Sequence, residues 1–244
     1  MSEAKSEMPA MYVIFVLDES GSMASQRSET ISGVNEYVQQ LRKDHPGEKI
    51  LFSLIKFQTE VSPVHLAVPL EDVKEMTNDD YCPRTMTALY DGVGHAINEL
   101  SKRIDDSEEC DVVVVIMTDG HENSSKEFNY TQICSLIEEK KKKEWSFVFM
   151  GADESAWKVG NSLGVQSSVQ YNAGDMGQTM AAVATSNTAY RTAKRSQHVN
   201  SVDAAKVFAD TFDNIVKPKV PDIDMDKWEG IDDVSPTKAK NEKD

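Results

Sequence analysis

Two short, wholly apolar runs, Met11 to Leu17 and Val112 to Met117, each break off at an acidic turn: Asp18 after the first, Thr118-Asp119-Gly120 after the second. A strand that is apolar at every position has both faces buried, the condition of a parallel sheet sandwiched between helices. Ile50–Phe57 and Ser146–Met150 have the same character, and Ser167–Tyr171 is a weaker strand candidate. Between these runs lie helical patterns. Ile31, Val34, Val38 and Leu41 mark one face; Leu89, Val93, Ile97, Leu100 and Ile104 mark another. Ile133, Leu136 and Ile137 suggest a third helix, and Met176, Met180 and Val183 a longer one before Arg195, all at spacings of three and four. Val61–Val68 follows Phe57 too closely for a helical crossover and should pair antiparallel, as an edge strand. The alternation predicts an α/β fold: a doubly wound, mostly parallel six-stranded sheet with one antiparallel edge strand and helices on both faces.

Such sheets bind ligands outside the carboxyl ends of their strands, where the strand order reverses. If the Met11 and Val112 strands are neighbours there, Asp18 and Asp119 converge on one crevice. The first turn, Asp18-Glu19-Ser20-Gly21-Ser22-Met23, adds hydroxyls to the carboxylate. Hard oxygens of this kind suit Mg²⁺, Mn²⁺ or Ca²⁺ and suit thiophilic metals poorly. A divalent ion would also cancel the repulsion between the two carboxylates.

A third segment, Thr85-Met86-Thr87-Ala88-Leu89-Tyr90-Asp91-Gly92, opens the second helical pattern. With these three motifs in this order, the chain from about Met11 to Arg195 resembles a von Willebrand factor type A domain of a stand-alone bacterial or phage kind. The resemblance implies a Rossmann-like fold and a metal-ion-dependent adhesion site. It assigns Asp18, Ser20 and Ser22 to the first loop, Thr87 to the second and Asp119 to the third. It further implies Mg²⁺ (or Mn²⁺ or Ca²⁺) as the bound ion and a protein partner that offers an Asp or Glu to it. One departure stands out. Many relatives carry a glycine pair before the threonine, where this chain has Arg84-Thr85-Met86. Thr85 is therefore a rival ligand to Thr87, which stands directly before Ala-Leu-Tyr-Asp.

A simpler reading is that Ser20, Ser22 and Thr87 cap helices beginning at Ser25 and Ala88, and that Asp119-Gly120 is an ordinary turn. It must account for the three motifs separately. A metal-dependent hydrolase of phosphate esters is the functional alternative, because a metal-bound water can act as a nucleophile. Against it, Ser20 stands where an aspartyl phosphatase needs a second Asp, and neither serine has the G-x-S-x-G elbow. The expectation is a binding module and not an enzyme.

The formal net charge of −15 argues against a nucleic-acid partner. No apolar run reaches the length of a membrane span. Met1 to Ala10 is polar, reads as a flexible N-terminus and lacks the pattern of a secretory signal. Cys82, Cys110 and Cys134 read as reduced thiols, so the expected location is cytoplasmic. Beyond the domain at 11–195, residues 196–216 form a helical extension. There Ser201 is a possible N-cap, and Val202, Ala205, Phe208, Phe212 and Ile215 make an apolar stripe. Residues 217–244, rich in Asp, Lys and Pro, read as a disordered tail. Gly92-Val93-Gly94 fails as a dinucleotide-binding turn, because Ile97 holds the third glycine's place. His121-Glu122 reads as a polar loop pair, and Lys140 to Lys143 as a solvated helix end.

Overall fold

A computed structural model describes residues 9–104, 109–120, 122–152, 154–196 and 201–216. Six strands form one sheet: β1 (Ala10–Asp18), β2 (Ile50–Phe57), β3 (Val61–Pro69), β4 (Cys110–Thr118), β5 (Ser146–Gly151) and β6 (Ser167–Gln170). The helices are α1 (Arg27–Asp44), α2 (Leu89–Ser101), α3 (Tyr130–Lys142), α4 (Glu154–Ser162), α5 (Met176–Arg195) and α6 (Ser201–Val216). The spatial order is β3-β2-β1-β4-β5-β6. Every pairing is parallel except β2 with β3. This is the expected mostly parallel, Rossmann-like architecture. β3 holds the exposed edge and carries Pro63 and Pro69, residues that a central strand would not tolerate.

The continuous apolar character of β1 is explained by two cores. Met11, Val13, Phe15 and Leu17 point to one face, against α1, α5 and α6; Tyr12, Ile14 and Val16 point to the other, against α2 and α3. With a side-chain period of two, neither face of β1 is wet. Gly92 lets α2 approach β2, since a Cβ there would stand 2.7 Å from the Phe57 ring. Gly94 does the same against Phe128, at 2.6 Å. The paired glycines belong to packing.

Several expectations need correction. α2 ends at Ser101, so Ile104 lies beyond the helix whose face it was expected to extend. α4 lies in a stretch where periodicity predicts no helix. Ser201 is the first residue inside α6, not a cap before it. α6 packs on the domain through Ala204 and Phe208, both buried, with Phe212 stacked on Phe208 at 6.3 Å; the side chains of Ser201 and Val202 lie outside the described residues. So do residues 1–8, His121 and the tail from 217 onward. Lys140 is not solvated: it is buried, with Nζ 5.4 Å from the centre of the Trp145 ring.

The pole of the sheet where β1 begins is held by one buried guanidinium. Arg191 of α5 donates to Asp111 at the start of β4, to Glu48 before β2 (2.5 Å) and to the Pro9 carbonyl (3.1 Å). Its Nη1 also lies 3.4 Å from His45 Nδ1, and Arg195 joins Asp111 at 2.6 Å. Those two carboxylates keep the Arg191 pKa raised even though burial works against the charge.

Candidate functional site

β1 and β4 are direct neighbours, with Leu17 opposite Met117, and the two chains leave the sheet side by side. β2 lies on one flank of this pair and β5 on the other. The switch point therefore falls between the two strands that end in acidic turns, and Asp18 and Asp119 come close together at their carboxyl ends.

The turn after β1 is a 3₁₀ helix, Gly21–Gln26, that runs into α1. Asp18 is fully buried. Its Oδ1 accepts from the Ser20 amide at 2.7 Å, and its Oδ2 accepts from the Thr118 hydroxyl at 2.6 Å. Burial pushes the Asp18 carboxyl up to about 6; the hydrogen bonds from Thr118 and Ser20 oppose the shift, and the nearby Asp119 charge adds to it. Ser20 and Ser22 hydroxyls lie 3.1 Å apart. Ser22 Oγ donates to Asp119 Oδ1 at 2.6 Å, linking two loops far apart in sequence. The other Asp119 oxygen accepts from Gln26 Nε2 at 3.1 Å.

Thr87 completes the group. It is 3% exposed, and its hydroxyl lies 3.7 Å from where a Cβ on Gly120 would stand, with Ser22 Oγ 3.6 Å from the same point. Its main chain is clamped to the third loop. The Thr87 amide donates to Asn123 Oδ1 at 2.8 Å, and its carbonyl accepts from the Asn123 and Ser124 amides at 3.0 and 3.2 Å. Glu122 folds that loop by accepting from the Ser124 and Ser125 amides and from the Tyr90 amide in the first turn of α2. Thr85 turns away: its hydroxyl donates to Gln58 Oε1 at 2.8 Å.

Helix capping does not explain these hydroxyls. Ser20 occupies the N-cap of the 3₁₀ helix but makes no side-chain cap bond, and the N-cap of α2 is Ala88. Ser22 donates across to Asp119 instead. Sequence reasoning missed three supporting residues. Thr118 is opposite Asp18 by strand register; Gln26 stands one helical turn beyond Ser22; Asn123 follows the third motif. The first two were findable from strand pairing and from the i+4 spacing.

Among the described residues, no group of three or more His, Cys, Asp or Glu side chains is placed to hold a metal. The crevice instead offers two carboxylates and three hydroxyls. This all-oxygen set fits a hard divalent cation. It also brings a buried carboxylate near a second one, an arrangement a cation would relieve.

Comparisons agree with the fold. The von Willebrand factor type A domain model matches residues 13–195, well over half of the chain, so the chain belongs to that family. No curated protein sequence matches it. Among solved structures, the PilB minor pilin from Streptococcus sanguinis aligns at 13% identity and a TM-score of 0.56, over 75% of this chain and 62% of its own. The vWF domain of the type V pili tip protein Mfa5 from Porphyromonas gingivalis aligns at 10% identity and 0.56, over 75% and 96%. Proximal thread matrix protein 1 from the mussel byssus aligns at 18% identity and 0.54, over 72% and 45%. This last protein is also known with a zinc-occupied MIDAS motif. The chain thus spans less than two thirds of the pilin and of the byssal protein.

The expected cytoplasmic location is corrected by these neighbours, which are pilus and byssal matrix proteins. The inference from cysteine had no force. Cys82 lies in the loop before α2, Cys110 at the start of β4 and Cys134 in α3, and the three form no disulfide, which does not report a compartment.

Proposed function

We propose that this von Willebrand factor type A domain is a protein–protein interaction module that docks an acidic group of its partner through a divalent cation at the β1/β4 crevice. Asp18, Ser20, Ser22, Thr87 and Asp119 would hold the ion, with Mg²⁺ or Mn²⁺ preferred over Zn²⁺ by an all-oxygen donor set. The observation that carries the reading is the Ser22–Asp119 hydrogen bond of 2.6 Å, which joins the first and third loops at the switch point. Thr118 and Gln26 orient the two carboxylates from outside the set, and Asn123 fixes Thr87. A bound cation supplies an exchangeable coordination position for a carboxylate. In a chain of net charge −15 it also supplies local attraction for an acidic partner.

Hydrolysis is the weaker reading. The Ser20 hydroxyl is engaged with Ser22 and the Ser22 hydroxyl with Asp119, and neither serine sits in a nucleophile elbow. Thermal melting in Mg²⁺, Mn²⁺, Zn²⁺ or EDTA tests the metal. At a hundredfold its dissociation constant the preferred ion should stabilise the fold by about 2.7 kcal/mol. A melting curve indifferent to Mg²⁺ and Mn²⁺ at millimolar levels refutes the site. Affinity capture from the native host in Mg²⁺ and again in EDTA, with Thr87→Ala as control, tests the partner.

A further inference from the structure

The rim of the crevice carries a feature that the ion-holding residues do not explain. Thr85 has a φ of 62°, a left-handed conformation that is an outlier for a β-branched residue. Glycine would relax the strain. Here the strain is held by neighbours instead. The Thr85 hydroxyl donates to Gln58 Oε1 at 2.8 Å, and the Thr85 carbonyl accepts from the Gly21 amide at 3.0 Å. On either side, the Arg84 amide donates to the Glu19 carbonyl at 2.9 Å and the Met86 amide to Thr59 Oγ1 at 3.3 Å. Three successive residues are fixed through their main chain, between the turn after β1 and the turn after β2.

The side chains on either side of the kink, Arg84 and Met86, both reach solvent. Met86 is 51% exposed, one of three large apolar side chains left so open among the described residues. The Arg84 guanidinium has no ion pair or hydrogen-bond partner among the described residues. An apolar thioether and an exposed planar cation are thus displayed directly before Thr87, on a backbone hydrogen-bonded at three successive residues. Methionine and arginine are both enriched in binding surfaces, the first because it adapts its shape and the second because its fork matches carboxylates. The surrounding chain, at net charge −15, gives Arg84 no general role in attracting anions, so its effect is local.

We infer that this rim selects the partner's sequence: it fits an acidic peptide segment with a bulky apolar residue within two positions of the carboxylate directed into the crevice, and a further carboxylate for Arg84. The inference rests on the proposed metal site. Met86 directly precedes Thr87 in the chain, and neighbouring Cα atoms lie about 3.8 Å apart, so the rim would be met by ligand side chains one or two positions from the docked acid. Arg84 stands two residues further back in the chain, where a second acid of the ligand would be its partner.

A randomised heptapeptide library displayed on phage, selected on the full chain in Mg²⁺ and in EDTA, tests this. The best peptide is then synthesised and titrated against the parent, Met86→Ser and Arg84→Gln. The expected result is Mg²⁺-dependent enrichment of Asp or Glu with Leu, Ile, Phe or Met within two positions and a second acid nearby. Met86→Ser should lose the apolar preference and bind about fivefold more weakly. Arg84→Gln should lose up to about fivefold at low salt and little at high salt. Both variants should keep the parent's melting temperature and its Mg²⁺ response. Enrichment of acids with no neighbouring preference, and variants that bind like the parent, overturns the rim while leaving the metal site standing. A melting response to Mg²⁺ without any Mg²⁺-dependent enrichment also overturns it. Loss of both overturns the rim and the metal site together.

Discussion

Replacing Asp18 with Asn should make the metal-free protein more stable, and by an amount that depends on pH. The Asp18 carboxyl is pushed from 3.8 up to about 6, chiefly because it is buried. A carboxyl with a raised folded-state pKa holds its proton more tightly when folded. Its contribution is therefore full below the unfolded value of 3.8 and is lost as pH rises through about 6. At 1.36 kcal/mol per unit, the loss reaches about 3 kcal/mol by pH 8 and is only about 0.5 kcal/mol at pH 4. Asparagine mimics the protonated form. Its oxygen can accept from the Ser20 amide, and its amide can donate to Thr118 Oγ1, whose own hydrogen can turn to the Gly120 carbonyl at 3.3 Å. Urea unfolding in EDTA across pH 4 to 8, parent against Asp18→Asn, reads the difference directly, because other titrating groups cancel. The variant should gain about 3 kcal/mol at pH 8 and almost nothing at pH 4. Mg²⁺ should then narrow or reverse the order by stabilising the parent alone. A difference that stays flat across the range refutes the argument, since Asp18 would then ionise as freely folded as unfolded.

Asp119→Asn should abolish the Mg²⁺-dependent rise in melting temperature while leaving the metal-free fold intact or slightly stabler; unfolding of the variant would make Asp119 a structural residue. Arg191→Met should destabilise by about 3 kcal/mol in urea titration, because Asp111 and Glu48 lose a buried counter-charge; a change below 1 kcal/mol would show that Arg195 and solvent suffice. Gly92→Ala should lose roughly 1–3 kcal/mol, since its methyl would press on the Phe57 ring. An unchanged midpoint there would mean that α2 can shift outward freely.

The layout of the sheet was legible because β1, β2, β4 and β5 are buried on both faces, and uninterrupted apolar runs report that directly. The crevice was legible because the carboxylates fall at strand ends, where register alone brings them together. What escaped depends on contacts between elements. α4 carries Gly160 in its interior, a poor helix former on local grounds. The sheet requires it, because a Cβ there would stand 2.6 Å from the Phe149 ring. Lys140 belongs to a run that looks solvated until Trp145, just beyond the helix, is folded back beneath it. Gln26 looks like an ordinary helix residue until Asp119 arrives from the end of β4. In each case the partner lies on another element, beyond the reach of periodicity.

The Arg191 knot has a mechanical consequence. β1 enters the sheet at the pole where Arg191 grips Pro9 and leaves it at Asp18, nine residues away, a rise of about 30 Å. Tension applied between Pro9 and the end of α5 at Arg195 would therefore load the guanidinium and its two carboxylates first. The crevice, at the far pole, lies off that line of force. Loosening the knot with Arg191→Met should lower the rupture force in single-molecule pulling between those points without altering the Mg²⁺ response, whereas a change in both would mean that strain reaches the crevice through β1 and β4.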